Sequence, residues 1–106
     1  MNQIRKDIET IADHYGPEHQ LEKLKEELRE LISAVSDIQL GFTQERADHL
    51  AEEIVDVEIM IAQIKVLIPT VEHLNYGWKL MKIGRQLNRI EFACLRHDGG
   101  CNAEEA

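Results

Sequence analysis

Apolar residues recur at steps of three and four along most of the chain, and this spacing restricts the fold more than any other feature. The apolar positions alternate such steps from Leu21 to Ile38, and the segment from Leu50 to Ile68 repeats the pattern. Steps of this size place side chains on one face of an α-helix, whereas a half-buried strand would alternate at every second residue. We therefore expect an all-α fold in which these stripes face the core.

The prolines and several glycines fall between the periodic segments and mark where helices end. The Gly-Pro pair at positions 16–17 predicts the end of a first helix, because proline favours the first position of the next one. Residues 41–43 separate the second helix from the third, with Thr43 as the N-cap of the third. We expect the third helix to stop before Pro69 and Thr70 to cap a fourth.

The length of the chain, 106 residues, predicts a single domain. Because short turns make neighbouring helices antiparallel, we expect a small antiparallel bundle of three to four helices over residues 1–97. The acidic segment 98–106 is expected to be a disordered tail. A bundle of this size buries only a modest core, so we expect a homodimer or homotetramer to complete it.

The charge balance limits the possible partners. The formal net charge of −8 argues against binding to a nucleic-acid backbone. No apolar stretch is long enough to cross a bilayer and no signal peptide is apparent, so we expect a cytoplasmic protein without a membrane partner. Cys94 and Cys101 lie too near the C-terminus to staple a core, and we expect reduced thiols.

Two helices carry closely similar pairs of acids. Glu27 and Glu30 lie three residues apart, as do Glu53 and Asp56, and both pairs lie about 50° to 120° to one side of their apolar stripes, with the same sense of rotation. In an antiparallel pair of helices, equal offsets fall on the same side. The midpoints of the two pairs, 28.5 and 54.5, average to 41.5, which is the turn between the helices. The four acids should therefore converge at one level.

Carboxylates that converge against apolar side chains repel one another unless cations compensate their charge. Hard oxygen ligands favour Mg²⁺, Mn²⁺ or Ca²⁺, and Mg²⁺ usually completes its coordination with substrate phosphates. A phosphate ester is therefore the expected substrate. The alternative interpretation is a solvated acidic helix face, which is the usual meaning of a single such motif. The neighbouring Glu26 and Glu52 are assigned to solvent, with a supporting role beside the metal ligands as the alternative.

The acids and their apolar neighbours also resemble a family signature. The first motif is Gln20-Leu21 followed by Leu24-x-Glu26-Glu27-x-x-Glu30-Leu31, and the second is Leu50-x-Glu52-Glu53-x-x-Asp56-Val57. Together they resemble the MazG-like all-α nucleoside triphosphate pyrophosphohydrolases over roughly residues 16–91. The resemblance implies hydrolysis of an NTP or dNTP between its α- and β-phosphates, giving the monophosphate and pyrophosphate. It also implies that Glu27, Glu30, Glu53 and Asp56 are the catalytic residues and hold Mg²⁺, or Mn²⁺ in its place.

A basic run on the last predicted helix resembles a downstream element of the same family. Lys82 and Arg85 are our candidates for substrate binding, because ammonium and guanidinium groups suit triphosphate oxygens. Their alternative interpretation is a solvated basic face. Two other functions remain open: a phosphoribosyl-ATP pyrophosphatase-like activity, and a non-catalytic helical adaptor whose acids serve only solubility.

Overall fold

The computed structural model describes residues 2–96, and this part of the chain contains three helices and no strand. The helices are α1 (Gln3–Gln39), α2 (Gln44–Leu67) and α3 (Pro69–Arg96). The predicted all-α fold is confirmed. The predicted acidic tail, residues 98–106, lies outside the described residues, and the homo-oligomer stays a prediction.

Contacts divide the described part of the chain into two compact units, one that ends at Val71 and one that begins at Glu72. The first unit contains α1 and α2, which pack against each other. The second contains most of α3, including Cys94. The expectation of reduced thiols is wrong for this residue, because Cys94 is disulfide-bonded.

Helix α1 joins the first two helices predicted from the sequence into one kinked element. Asn2 caps its N-terminus, where the side-chain Oδ1 accepts a hydrogen bond from the backbone N–H of Arg5 at 2.8 Å. Gly16 interrupts the helix with φ 83° and ψ 170°, a conformation that only glycine adopts readily. Helical backbone resumes at Pro17 without an intervening loop. The Gly-Pro pair therefore ends one helical segment and starts the next, as predicted, and the two segments meet at a kink.

The connections between helices are short. After α1, the backbone N–H of Gly41 donates to the carbonyl of Ile38 at 3.1 Å. Thr43 then caps α2 as predicted, because its hydroxyl accepts from the backbone N–H of Arg46 at 3.1 Å. Helix α3 begins directly at Pro69, so the prediction that Thr70 is an N-cap is wrong. Proline fits this first helical position because the N–H that it lacks has no partner there.

The buried line of α1 and α2 runs to one side of the predicted apolar stripes. Positions 20, 27 and 34 are buried on α1, and positions 53, 57, 60 and 64 are buried on α2. Leu21 and Leu28, which belong to the predicted core stripe, remain 40% and 41% exposed. Ile54 and Ile61 are exposed to the same degree on α2. Both helices are therefore turned so that their acidic flank, and not the centre of the stripe, faces the neighbouring helix.

A buried hydrogen bond fixes the register between α1 and α2. The side-chain Nε2 of Gln20 donates to Oε1 of Gln63 at 2.6 Å. These two residues lie symmetrically about position 41.5, which is the centre predicted from the acid pairs. The antiparallel arrangement and its register about the turn are therefore as predicted.

None of the helices in the described part of the chain combines the length and the hydropathy that a membrane-spanning segment requires.

The kink at Gly16 gives a first prediction. A Cβ added at Gly16 would meet no atom within 4 Å, so Gly16→Ala should act only through backbone strain and should destabilise the protein by about 1 to 3 kcal/mol. Gly84 in α3 is equally open but helical, so Gly84→Ala should stabilise its helix by about 1 kcal/mol. Thermal unfolding followed by circular dichroism measures both effects. Equal shifts in the same direction would contradict the assignment of strain to Gly16.

Candidate metal centre

Five carboxylates from α1 and α2 meet around Glu53. Glu27, Glu30 and Glu53 each offer a carboxylate oxygen, and these three atoms lie within 4.8 Å of one another. A second set with the same spacing joins Glu53 to Glu52 and Asp56. All four acids singled out in the sequence therefore belong to one connected group, with Glu53 common to both sets. Short distances between like charges make this group a candidate for cation binding.

Burial separates this group from an ordinary acidic helix face. Glu27 is 8% exposed and Glu53 is 7% exposed. The Oε2 atom of each is buried and has no hydrogen-bond partner among residues 2–96. A buried polar atom left without a partner costs about 1 to 3 kcal/mol, and more when it is charged. The two oxygens therefore lack the compensation that a coordinated cation would provide.

The electrostatics of Glu27 reflect this environment. Burial is the main cause that raises the pKa of Glu27 above its usual value, and the neighbouring Glu30 carboxylate raises it further. The ammonium of Lys23 acts in the opposite direction, with Nζ at 3.3 Å from Oε1 of Glu27. The same contact raises the pKa of Lys23. Lys23 therefore compensates one oxygen of Glu27 and leaves Oε2 without a partner.

Each of the two buried glutamates has a basic partner one turn earlier on its own helix. Lys23 precedes Glu27 by four residues, and His49 precedes Glu53 by four, with Nε2 of His49 at 3.3 Å from Oε1 of Glu53. Side chains four residues apart are neighbours on a helix surface, so both contacts follow from the sequence spacing. The sequence analysis nevertheless overlooked Lys23, although the i,i+4 signal was present.

Glu26 and Glu52, which the sequence assigns to solvent, have different surroundings in the structure. Glu26 is exposed as expected, and its Oε2 lies 3.5 Å from Nζ of Lys23. Glu52 is also exposed, but one of its carboxylate oxygens lies within 4.8 Å of those of Glu53 and Asp56. Glu52 therefore fits the alternative left open by the sequence, in which its side chain supports the ligands from the outside.

The predicted phosphate-binding residues lie on α3, in the second unit of the chain. Nζ of Lys82 lies 5.9 Å from the centroid of the Trp78 ring. Nη2 of Arg85 lies 3.4 Å from the sulfur of Met81. These contacts are all within α3, and the role of Lys82 and Arg85 toward a substrate stays a prediction.

The residues present suit a hard divalent cation. The donors are carboxylate oxygens from two helices, which is the chemistry that Mg²⁺, Mn²⁺ and Ca²⁺ prefer, and the two unpartnered oxygens belong to the most buried donors. No family model, curated protein or solved structure matches the chain. The resemblance to the MazG-like pyrophosphohydrolases therefore depends on the motifs alone.

The raised pKa of Glu27 gives a second prediction. The ionised form of Glu27 destabilises the folded state. The protein is therefore more stable below the usual pKa of 4.5, and it loses this stability as the pH rises through the raised pKa of Glu27. Without metal, Glu27→Gln should therefore stabilise the protein at pH 7 by about 1 kcal/mol, or about 4 to 8 °C in Tm, and should have little effect near pH 4.

Glu26→Gln is the matched control, because Glu26 also contacts Lys23 but is exposed. This variant should shift the Tm by much less at either pH. Melting curves of both variants and of the wild-type chain at the two pH values make the comparison. A Glu27→Gln effect that does not change with pH would contradict the proposed charge burial.

Proposed function

We propose that this protein is a Mg²⁺-dependent nucleoside triphosphate pyrophosphohydrolase, which cleaves an NTP or dNTP into the monophosphate and pyrophosphate. The observation that carries the proposal is the pair of buried carboxylates, Glu27 and Glu53, each with an oxygen that has no protein partner. Burial removes these carboxylates from water at a cost in free energy, which two solvated glutamates would not incur. The sequence resemblance supplies the reaction, and the proposal includes the cytoplasmic homodimer or homotetramer expected from the sequence.

The buried and exposed acids suit different tasks. Glu27, Glu30, Glu53 and Asp56 would hold Mg²⁺ or Mn²⁺. When bound, the cation would neutralise charge that develops on the phosphate oxygens of the pyrophosphate leaving group. Glu27 and Glu53 are held in place by the α1 and α2 contact, which favours a fixed role as ligands. One of the glutamates of the group would orient the attacking water and accept its proton.

The cationic side chains would act on the substrate and on the metal-free state. Lys82 and Arg85 are proposed to bind the triphosphate oxygens, which an ammonium and a guanidinium group suit well. Lys23 contacts Glu26 and Glu27, and it reduces the repulsion between acids when no cation is bound.

One observation favours a second candidate, the non-catalytic helical adaptor. Helix α3 exposes several large apolar side chains, including Trp78, Leu80, Leu87 and Phe92, each at least 50% exposed. Such a surface is typical of a helix that docks against a partner. The adaptor candidate does not explain why Glu27 and Glu53 are buried without partners for their Oε2 atoms. We therefore place it second.

Turnover gives a third prediction. The wild-type protein should release pyrophosphate from at least one member of a panel of canonical and damaged NTPs and dNTPs with Mg²⁺, and phosphoribosyl-ATP belongs in the panel. Glu53→Gln should abolish this release while the helical content stays intact, because the substitution removes the carboxylate shared by both sets of acids. Glu58→Gln, an exposed acid on the same helix, is the control and should keep full activity.

Metal binding gives a fourth prediction, which separates the enzyme from the adaptor. Mg²⁺ or Mn²⁺ should raise the Tm of the wild-type chain, because a ligand that binds only the folded state stabilises it. Glu53→Gln should lose this increase and Glu58→Gln should keep it. A wild-type Tm that is indifferent to both cations would favour the adaptor.

A further inference from the structure

A groove beside the acidic group in the first unit has no role in the function proposed so far. It is lined by aromatic, amide, apolar, basic and acidic side chains, and the residues on which the inference rests are Tyr15, His19, Gln20, Lys23, Met60 and Gln63. The groove is open to solvent and follows the α1 and α2 contact from the Gly16 kink toward the acids.

One wall of the groove carries a pair of stacked rings. The rings of Tyr15 and His19 lie with their centroids 4.7 Å apart and their planes within 17° of parallel. The kink at Gly16 falls between these two residues, so the conformation of this glycine decides how the rings meet. Tyr15 remains 50% exposed. A planar heterocycle can pack against such a pair, because every nucleobase has a π-face.

The floor of the groove carries two buried amides with remaining hydrogen-bonding capacity. Nδ1 of His19 donates to Oε1 of Gln20 at 2.7 Å, and Nε2 of Gln20 donates to Oε1 of Gln63 at 2.6 Å. Nε2 of Gln63 donates to the sulfur of Met60 at 3.8 Å. A primary amide has two donor hydrogens, and its carbonyl oxygen can accept two bonds. Each of the two amides therefore keeps one donor hydrogen and one acceptor site, a combination that suits the edge of a nucleobase.

The distance from the amides to the acids fits a nucleotide. Gln20 precedes Glu27 by seven residues, and Gln63 follows Asp56 by seven. Two helical turns correspond to roughly 10 Å on each helix, so the amide pair and the acids form two levels of the same helix pair. Lys23 lines the groove and reaches Glu27, which connects the two levels. A base at the amide level would leave its sugar and phosphates pointing toward the acids.

We propose that this groove binds the nucleobase of the substrate, with Tyr15 and His19 packing against the base and Gln20 and Gln63 contacting its edge. The inference rests on the proposed function, because it takes the ligand of the groove to be part of the same nucleotide. The rings contribute affinity for any base, and the amides contribute discrimination between bases.

The test measures binding by calorimetry in the presence of Mg²⁺, without turnover. The probes are deoxynucleoside triphosphates with an α,β-imido linkage, one for each base, and inorganic tripolyphosphate as the probe without a base. The wild-type chain should bind at least one nucleotide tenfold or more tightly than tripolyphosphate. Tyr15→Ala should lose about tenfold in affinity for the nucleotides and none for tripolyphosphate, as expected for one lost stacking contact.

Three variants serve as controls for this test. Tyr15→Phe keeps the ring and should bind nucleotides within about twofold of the wild type. Tyr76→Ala removes an exposed tyrosine of α3, outside the groove, and should have no effect on binding. Gln63→Leu should change the ratio of affinities between bases more than the affinity for tripolyphosphate, with circular dichroism confirming that the helices persist.

The outcomes distinguish failure of the groove from failure of the proposed function. Tripolyphosphate that binds as tightly as every nucleotide, or a Tyr15→Ala variant that binds nucleotides like the wild type, would overturn the groove proposal and leave the phosphate site standing. A wild-type chain that binds neither tripolyphosphate nor any nucleotide would overturn the proposed function, and the groove proposal would fall with it.

Discussion

The contact between α1 and α2 buries two glutamates that have incomplete compensation, and the account of this protein depends on that burial. Oε2 of Glu27 and Oε2 of Glu53 have no hydrogen-bond partner, while Lys23 and His49 contact the other oxygen of each. Two buried carboxylates without full compensation destabilise a helix pair unless they bind a ligand. A bound divalent cation would offset this cost, because it would supply the missing compensation.

The same helix pair builds two levels with different chemistry. One level holds the acids around Glu53, and the other holds the amide pair of Gln20 and Gln63, two helical turns away. The antiparallel register about the turn places members of each level opposite one another, so a single geometric constraint organises both. A nucleotide has anionic phosphates at one end and a flat, polar base at the other, and the sugar between them spans a distance similar to that between the two levels. One nucleotide could therefore contact both levels.

The sequence predicted the type of fold and the grouping of the acids because both depend on spacing alone. The steps of three and four predicted helices, and the symmetric positions of Glu27, Glu30, Glu53 and Asp56 about the turn predicted their level. The hydrogen bond between Gln20 and Gln63 has the same centre of symmetry, but amides carry no periodic signal that would have singled it out.

The sequence did not predict which side of each apolar stripe is buried. Leu21 and Leu28 are half-exposed, whereas the small Ala34 is 1% exposed in α1. Each apolar stripe is wider than the surface that one neighbouring helix covers, so the neighbouring helix can pack on either side of the stripe. A small side chain such as that of Ala34 lets the neighbouring helix approach more closely. The acids therefore lie deeper than their angular offset from the leucines implied. The helix boundary at Gly16 and Pro17 was predicted, but the absence of a loop between the two helical segments of α1 was not, because the Gly-Pro pair does not specify how many residues connect them.

The most direct test of the central claim is anomalous diffraction from crystals of the full chain soaked in Mn²⁺. The account predicts an anomalous peak between the side chains of Glu27, Glu30 and Glu53, within coordination distance of the two Oε2 atoms that lack protein partners. Well-ordered carboxylates at these positions with no peak near them, or peaks only on exposed surface acids, would contradict it.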